Sequence, residues 1–416
     1  MAKYIIKGGN KLYGKINVES AKNAVLPIMA GAILTNDDVI IENCPVISDV
    51  LSMISILNSL GVRTVFDKNT LIVNASTLNG YTVDSLLAGE LRSSVFMLGA
   101  LLSRTGKAVA YKPGGCAIGK RPIDFHIKGF NCIGINTTFS DNQIFCTVNE
   151  RKGGFVCLEY ASVGATENLI LASVLSDGIT IIKNSAKEPE ITDLVNFLNS
   201  MGARIYGGGT DVITICGVKK LHGTRYKPIS DRIETGTFLL AAAICGGELE
   251  INGAKAENIS AVINKISNNT CKINAINDII YINSDGMPNS FDFETGPYPE
   301  FPTDMQAQTM GLLSVGKGFS VVKERVFENR FNHVPELVKM GADISVKDRT
   351  AFIKGVKNLH GAAVRAKDLR GGAALVLAGL RAEGITVVSD VYHIERGYSA
   401  FCKKLRSIGA DIKRKK

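Results

Sequence analysis

The 416-residue chain has no tryptophan, and phenylalanine, tyrosine and tryptophan together make up only 7% of it. It has nine cysteines, an odd number at irregular spacing with no CxxC pair. That pattern excludes a disulfide framework and the common zinc ligand sets, and it predicts a reducing, cytoplasmic setting. No apolar run approaches the roughly 20 residues of a membrane-spanning helix. The opening MAKYIIKGGNKLYG lacks the apolar segment of a secretory signal, so none is expected. What is present is ordinary globular composition, 45% hydrophobic and 21% charged, in a chain long enough to bury substantial cores.

Lysine and arginine outnumber the acidic residues, 48 to 39, for a formal charge of +9. The one dense basic run, Lys413-Arg414-Lys415-Lys416, reads as a solvated tail. The remaining basic residues are dispersed and lack the interleaved aromatics of single-strand binders. A non-catalytic nucleic-acid-binding repeat protein is the rival reading of the charge. A basic site for an anionic small molecule explains it as well.

Internal similarity organises the chain. DLVNFLNSMGARIYGGGTDVITICGVKKLHG, HVPELVKMGADISVKDRTAFIKGVKNLHG and DVLSMISILNSLGVRTVFDKNTLIVNASTLNG follow one plan. A helical apolar pattern ends in Leu-Gly or Met-Gly, two alternating segments follow, and a glycine closes the unit. The closing glycines are Gly14, Gly80, Gly154, Gly223 and Gly361. Between the last two lies a degenerate copy, INKISNNTCKINAINDIIYIN, with Ser290 near the glycine position. Six units of about seventy residues result, the first without its opening helix. After each closing element comes a second, more apolar helix, such as SAKNAVLPIMAGAIL or SDRIETGTFLLAAAI. Apolar on most faces, these helices are expected to be buried, with strands coating them.

Polar residues gather in the first turns of these second helices: Lys22 and Asn23; Arg92 and Ser93; Ser162, Gly164 and Thr166; Asp231 and Arg232; Asp304 and Gln306; Asp368 and Arg370. Helix N-termini favour anions through unpaired N–H groups and the helix dipole. Lysine and arginine there run against the dipole, which points to a ligand. One such start is only a cap or a surface charge; six of them, with Arg121 and Arg396 also available, predict an anion-binding cleft.

KPGGCAIGKRP, residues 112–122, places Cys116 among glycines and positive charges. The glycines predict an exposed loop rather than a core position. Lys112, Lys120 and Arg121 favour the thiolate, whereas a proton donor must keep its proton, so the two roles pull in opposite directions. His126 is read on the strand that follows, where a structural role weighs at least as much as a catalytic one. Asp304, after Pro302-Thr303, is by itself readable as a helix cap.

The motifs SAKNAVLP, ELRSS, KPGGCAIGKRPIDFHI, SVGATEN, FPTDMQAQ, ENRFNHV, DLRGGAA and YHIERGY occur in the order found in a known family. Over essentially its whole length the chain resembles the enolpyruvyl transferases that act on UDP-N-acetylglucosamine. The resemblance implies a two-domain α/β fold, an inside-out barrel of six repeated units, three per domain, with helices buried and sheets outside. Residues 21–229 would form one domain and 1–20 plus 230–416 the other, with the active site in the cleft between them. The first strand would complete a unit of the second domain.

The implied reaction moves enolpyruvyl from phosphoenolpyruvate to the 3′-hydroxyl of UDP-N-acetylglucosamine and releases phosphate through a tetrahedral ketal. It is the first committed step of peptidoglycan precursor synthesis. By resemblance Asp304 is the base and Cys116 the acid, the latter also able to hold phosphoenolpyruvate covalently. Lys22, Arg121 and Arg396 clamp phosphoenolpyruvate, with Asn23 and Arg370 beside them; Lys22 and Arg396 count among the catalytic residues. Asn23, Arg92, Arg121, Pro122, Ile123, Asp124, Phe125, Ser162, Val163, Gly164, Asp304 and Val326 hold the nucleotide sugar, and Asp368 and Arg330 line the same pocket. No cofactor, metal, nucleic acid or membrane is implied, and the residues set no oligomeric state. Two departures stand out: Tyr160 where some relatives carry a basic residue, and the additional charge of Lys120. The closest enzymatic rival is the sister enzyme acting on shikimate 3-phosphate; the cysteine loop and SVGATEN favour the nucleotide sugar.

Overall fold

The computed structural model describes residues 2–111, 118–119 and 122–416. The chain divides into two compact units. One runs from Ser20 to Ile229, apart from a short stretch around Ile118 and Gly119; that stretch groups with the other unit, which holds the residues up to Glu19 and Ser230–Lys416.

Each unit has its own hydrophobic core and three sheets. The plan of a sheet is set by local sequence. After a buried helix comes a short alternating strand, which pairs antiparallel with the second strand of a hairpin and parallel with a closing strand. In the unit that begins at Ser20, Ile179–Lys183 pairs with Val212–Cys216 and with Phe155–Cys157. Val39–Ile41 does the same with Thr70–Asn74 and Thr224–Tyr226. The third sheet, around Gln143–Val148, has three strands, its closing partner reduced to the Thr82–Val109 bridge.

In the other unit the same order recurs around Gly247–Asn252, Phe319–Lys323 and Ile385–Ser389. In the last of these sheets the chain's first strand, Lys3–Lys7, lies between Ile385–Ser389 and Asp411–Lys415. The N-terminal segment therefore supplies the strand that a local hairpin supplies elsewhere. The expectation of a barrel is corrected in one respect. The strands form separate open sheets, and no closed barrel exists among the described residues. Each sheet ends after three or four short strands because its edge strands find no partner in the next sheet.

The helices packed under these sheets are apolar on nearly every face. In Arg232–Cys245 every residue but the last is buried, and in Gln306–Leu313 all are. Small residues let them approach closely. A Cβ on Gly99 would lie 2.3 Å from the Asn168 carbonyl oxygen, so the helices Phe96–Thr105 and Val163–Ser173 meet at a distance only glycine permits. Among the described residues no helix is long and apolar enough to cross a membrane.

Candidate active site

The helix starts differ in what they leave open. Asp231 caps the Arg232 helix by accepting from the N–H groups of Ile233 and Glu234 at 2.8 and 2.9 Å. Asp368 caps the Leu369 helix in the same way, accepting from Arg370 and Gly371 at 3.0 and 2.9 Å. These two mouths are occupied by the chain's own carboxylates, so their N–H groups are not free for a ligand. The Lys22 helix starts from Ala21, with no side-chain cap. The Val163 helix is capped only by Ser162 Oγ, at 3.4 Å from the Ala165 nitrogen. The Gln306 helix of the other unit likewise starts with no side-chain cap.

In that unit Lys22 Nζ lies 3.2 Å from Asp49, both side chains being mostly buried. Asn23 beside it is exposed. Arg92 is half-buried in a 3-10 turn ahead of the Phe96 helix. Pro122 and Asp124 are exposed; Ile123 and Phe125 are half-buried, as are Ser162, Val163 and Gly164. Tyr160 stacks on Phe125, with centroids 6.4 Å apart and planes at 20°. Position 160 thus holds an aromatic ring that joins the Asp124 helix to the segment just before the Val163 helix.

His126 lies in the helix Asp124–Cys132 and not on a strand. The apolar residues after the loop recur at helical spacing, with Phe130 and His126 on the buried face. Burial, reinforced by the Arg92 charge, lowers its pKa to about 4. Farther along the Val163 helix, Glu167 is fully buried. Burial, with Glu190 and Glu188 nearby, pushes its carboxyl well above the usual range.

In the other unit Asp304 sits in a 3-10 turn, Thr303–Met305, ahead of the Gln306 helix. Arg330 Nη2 donates to Oδ1 at 2.6 Å and Arg370 Nη2 to Oδ2 at 2.9 Å. Both arginine side chains are nearly inaccessible, at 3% and 4%, while Asp304 keeps 26% exposure. The Asp304 main-chain carbonyl accepts from Gln308 Nε2 at 2.9 Å, and the same amide reaches the Tyr398 hydroxyl at 3.1 Å. That hydroxyl also bonds to Thr237 at 2.8 Å, and the Tyr398 ring lies under the Arg370 guanidinium at 5.4 Å. Glu324, wholly buried, accepts from Thr303 Oγ1 and from the Val326 and Phe327 N–H groups, tying the Asp304 turn to Val326. Arg396 lies near His393, whose pKa burial lowers first and Arg396 lowers further.

Asp304, Arg330 and Arg370 are thus joined directly, with Asp368 capping the helix that carries Arg370. Cys116 and Arg121, with Lys112 and Lys120, lie outside the described residues. Of the described residues between them, Ile118 accepts at its carbonyl from the Asn329 N–H at 3.0 Å.

Reading the sequence missed Asp49, Asn168, Thr237, Gln308 and Tyr398. Asn168 and Gln308 had a signal, since each is a polar side chain inside an otherwise apolar buried helix, which obliges it to find partners.

The sequence model for EPSP synthase (3-phosphoshikimate 1-carboxyvinyltransferase) matches residues 6–405. The chain belongs to this carboxyvinyltransferase family. It is 49% identical over 415 residues to UDP-N-acetylglucosamine 1-carboxyvinyltransferase 2 of Caldanaerobacter subterraneus, covering 100% of both chains. It is 46% identical over 416 residues to the protein of that name in Clostridium tetani, again covering 100% of each. Among solved structures, the enolpyruvyl transferase NikO of Streptomyces tendae matches with a TM-score of 0.88 at 24% identity, over 99% of this chain and 98% of that one. EPSP synthase of Acinetobacter baumannii matches with a TM-score of 0.75 at 18% identity, over 100% of both. Both structures show the carboxyvinyltransferase fold in this chain. The family model carries the 3-phosphoshikimate name, whereas the relatives at 46–49% identity carry the nucleotide-sugar name.

Proposed function

We propose that this carboxyvinyltransferase transfers the enolpyruvyl group of phosphoenolpyruvate to the 3′-hydroxyl of UDP-N-acetylglucosamine, in the cytoplasm, as the entry to peptidoglycan precursor synthesis. The observation that carries the choice of acceptor is the 49% identity, along the whole chain, to an enzyme named for that substrate. In fold terms we read three repeated α/β units per domain, buried helices coated by sheets, with domains of residues 21–229 and 1–20 plus 230–416.

The residues divide the work. Asp304 takes the proton of the sugar hydroxyl as its oxygen attacks C2 of phosphoenolpyruvate, and Cys116 delivers a proton to the methylene carbon. The product of this addition is a ketal that still carries phosphate. Loss of phosphate and of one proton from the new methyl group regenerates the double bond on the sugar. Lys22, Arg121, Arg370 and Arg396, with Asn23, hold the phosphate and carboxylate through this change of geometry. Asp304 suits its role because two guanidinium groups fix its plane while its partial exposure leaves it reachable. Pro122 to Phe125, Arg92, Ser162 to Gly164 and Val326 hold the nucleotide sugar.

Phosphate release from phosphoenolpyruvate tests this reading. It is expected with UDP-N-acetylglucosamine and not with shikimate 3-phosphate; the reverse pattern removes the acceptor assignment.

A further inference from the structure

Glu324 follows the strand Phe319–Lys323, and its side chain is wholly buried. Its carboxyl group accepts from donors in two separate stretches of chain. Oε1 accepts from the Val326 N–H at 2.8 Å and from the Phe327 N–H at 3.0 Å. Thr303 Oγ1 lies 3.1 Å from Oε1 and 3.0 Å from Oε2, so the threonine hydroxyl donates to the same group. All of these donors are neutral. An acid buried without a cation costs stability, and an apolar side chain would serve packing alone better. What the carboxyl group adds is two acceptor oxygens on one rigid plane, able to hold main-chain donors and a hydroxyl at once.

The two stretches meet a second time. Arg330 Nη2 donates to the Thr303 carbonyl at 3.2 Å as well as to Asp304 Oδ1 at 2.6 Å. The Arg330 guanidinium also stands over the Phe327 ring, 5.4 Å from its centroid. A closed circuit results. It runs from Glu324 through Val326 and Phe327 to Arg330, on to Thr303, and back to Glu324. Thr303 is gripped at its hydroxyl by Glu324 and at its carbonyl by Arg330. The turn it opens, Thr303–Met305, has no side-chain cap, so these grips hold the turn from which Asp304 projects. Glu324 itself is anchored to its neighbours. Its N–H donates to the Arg349 carbonyl at 2.9 Å, and the Arg325 N–H donates to Thr295 Oγ1 at 3.0 Å.

We infer that Glu324 is a positioning residue that sets the distance between the base, Asp304, and the acceptor-binding stretch at Val326. The roles of those two residues rest on the proposed function; the circuit that joins them does not. A base acts only within hydrogen-bond reach of the proton it takes. The stretch that holds the acceptor and the group that deprotonates it must therefore keep a constant separation, and here one carboxyl group spans both. Neither Val326 nor Thr303 is among the residues proposed to hold phosphoenolpyruvate, so binding of that substrate should be spared.

Amide hydrogen exchange tests the circuit without substrate, and kinetics test its purpose, both on the full-length protein. E324A should speed exchange of the Val326 and Phe327 amides roughly tenfold, the worth of a hydrogen bond, whereas T303V should leave it unchanged. In kinetics E324A should raise the nucleotide-sugar KM and lower kcat. T303V releases only the Asp304 turn, so it should lower kcat roughly tenfold, the scale of a small misplacement, with both KM values unchanged. E324Q is the conservative variant. Its carbonyl oxygen accepts from the two N–H groups while its amide donates to the threonine hydroxyl, so it should keep most of the activity. Unchanged kcat in T303V, or a phosphoenolpyruvate KM that rises in E324A as much as the nucleotide-sugar KM, overturns the positioning role. Where E324A does not fold, T303V and E324Q decide: loss of stability in T303V with kcat intact marks a structural role only, and an E324Q as slow as T303V contradicts the hydrogen-bond account. A wild type that does not use the nucleotide sugar removes the proposed function instead. The exchange measurement then still decides the circuit, which unchanged amide exchange in E324A overturns.

Discussion

Arg370 Nη2 stands 2.9 Å from Oδ2 of Asp304, and this pair ties the proposed base to a guanidinium with almost no contact with water. Arg330 holds the other oxygen in the same way, so two buried cations share one carboxylate. Removing the carboxylate strands both. D304A should lose about 3–5 kcal/mol of stability in urea unfolding, the cost of breaking buried pairs, together with at least roughly 100-fold in kcat, the scale of general-base catalysis. D304N keeps one acceptor for one guanidinium and should recover part of the stability but none of the activity.

Tyr398 joins Thr237, Gln308 and Arg370 through its hydroxyl and its ring. Y398F keeps the ring beneath the guanidinium and removes the hydroxyl, leaving Gln308 and Thr237 one partner short in a buried site. A loss of about 1–3 kcal/mol is expected in equilibrium unfolding. An unchanged urea midpoint would mean that the hydroxyl network contributes nothing net.

His333 is buried beside Arg330 and Asp368. Burial is the main cause of its pKa falling to about 4; Arg330 lowers it further and Asp368 opposes the shift. The unfolded chain takes up this proton near pH 6.5. Between the two values the unfolded state binds more protons, so this contribution is complete above about pH 6.5 and is lost as pH falls toward 4. Glu234, raised by burial to about 7, acts with the opposite sign, its contribution being lost as pH rises. The measurement is therefore a difference: relative to wild type, H333Q should gain stability as pH falls through this window. A constant difference would contradict the assignment.

Cys116 is proposed as proton donor and as the nucleophile that holds phosphoenolpyruvate. A small epoxide phosphonate that alkylates thiols should inactivate the wild type through this residue, read by mass spectrometry of the modified peptide. C116D should resist while keeping activity. Equal sensitivity of the variant would place the reactive group elsewhere.

The strands and buried helices were legible because their patterns repeat. Alternation in ITIIK and VITIC and the apolar helices that pair with them leave little choice of element. His126 was misplaced because DFHIKGF holds too few apolar residues to separate a helix from an extended segment by period alone. The two Asp caps were visible in the sequence as acidic residues at helix starts. Their consequence, that those mouths take no anion, depends on which N–H groups the carboxylates reach. Reading individual residues could not bring Arg330 and Arg370 to Asp304, because the three are joined by tertiary packing rather than by spacing. The hydrogen bonds of the Asn168 amide to the Val95 carbonyl and to His126 Nδ1, both at 2.9 Å, were hidden for the same reason.

The central claim is the identity of the acceptor, and a competition measures it most directly. UDP-N-acetylglucosamine and shikimate 3-phosphate are offered together with phosphoenolpyruvate, and the products are identified by mass spectrometry. The nucleotide sugar should gain one enolpyruvyl group for each phosphate released, and shikimate 3-phosphate should be recovered unchanged. Enolpyruvyl found on shikimate 3-phosphate, or phosphate released with neither acceptor altered, would contradict the account.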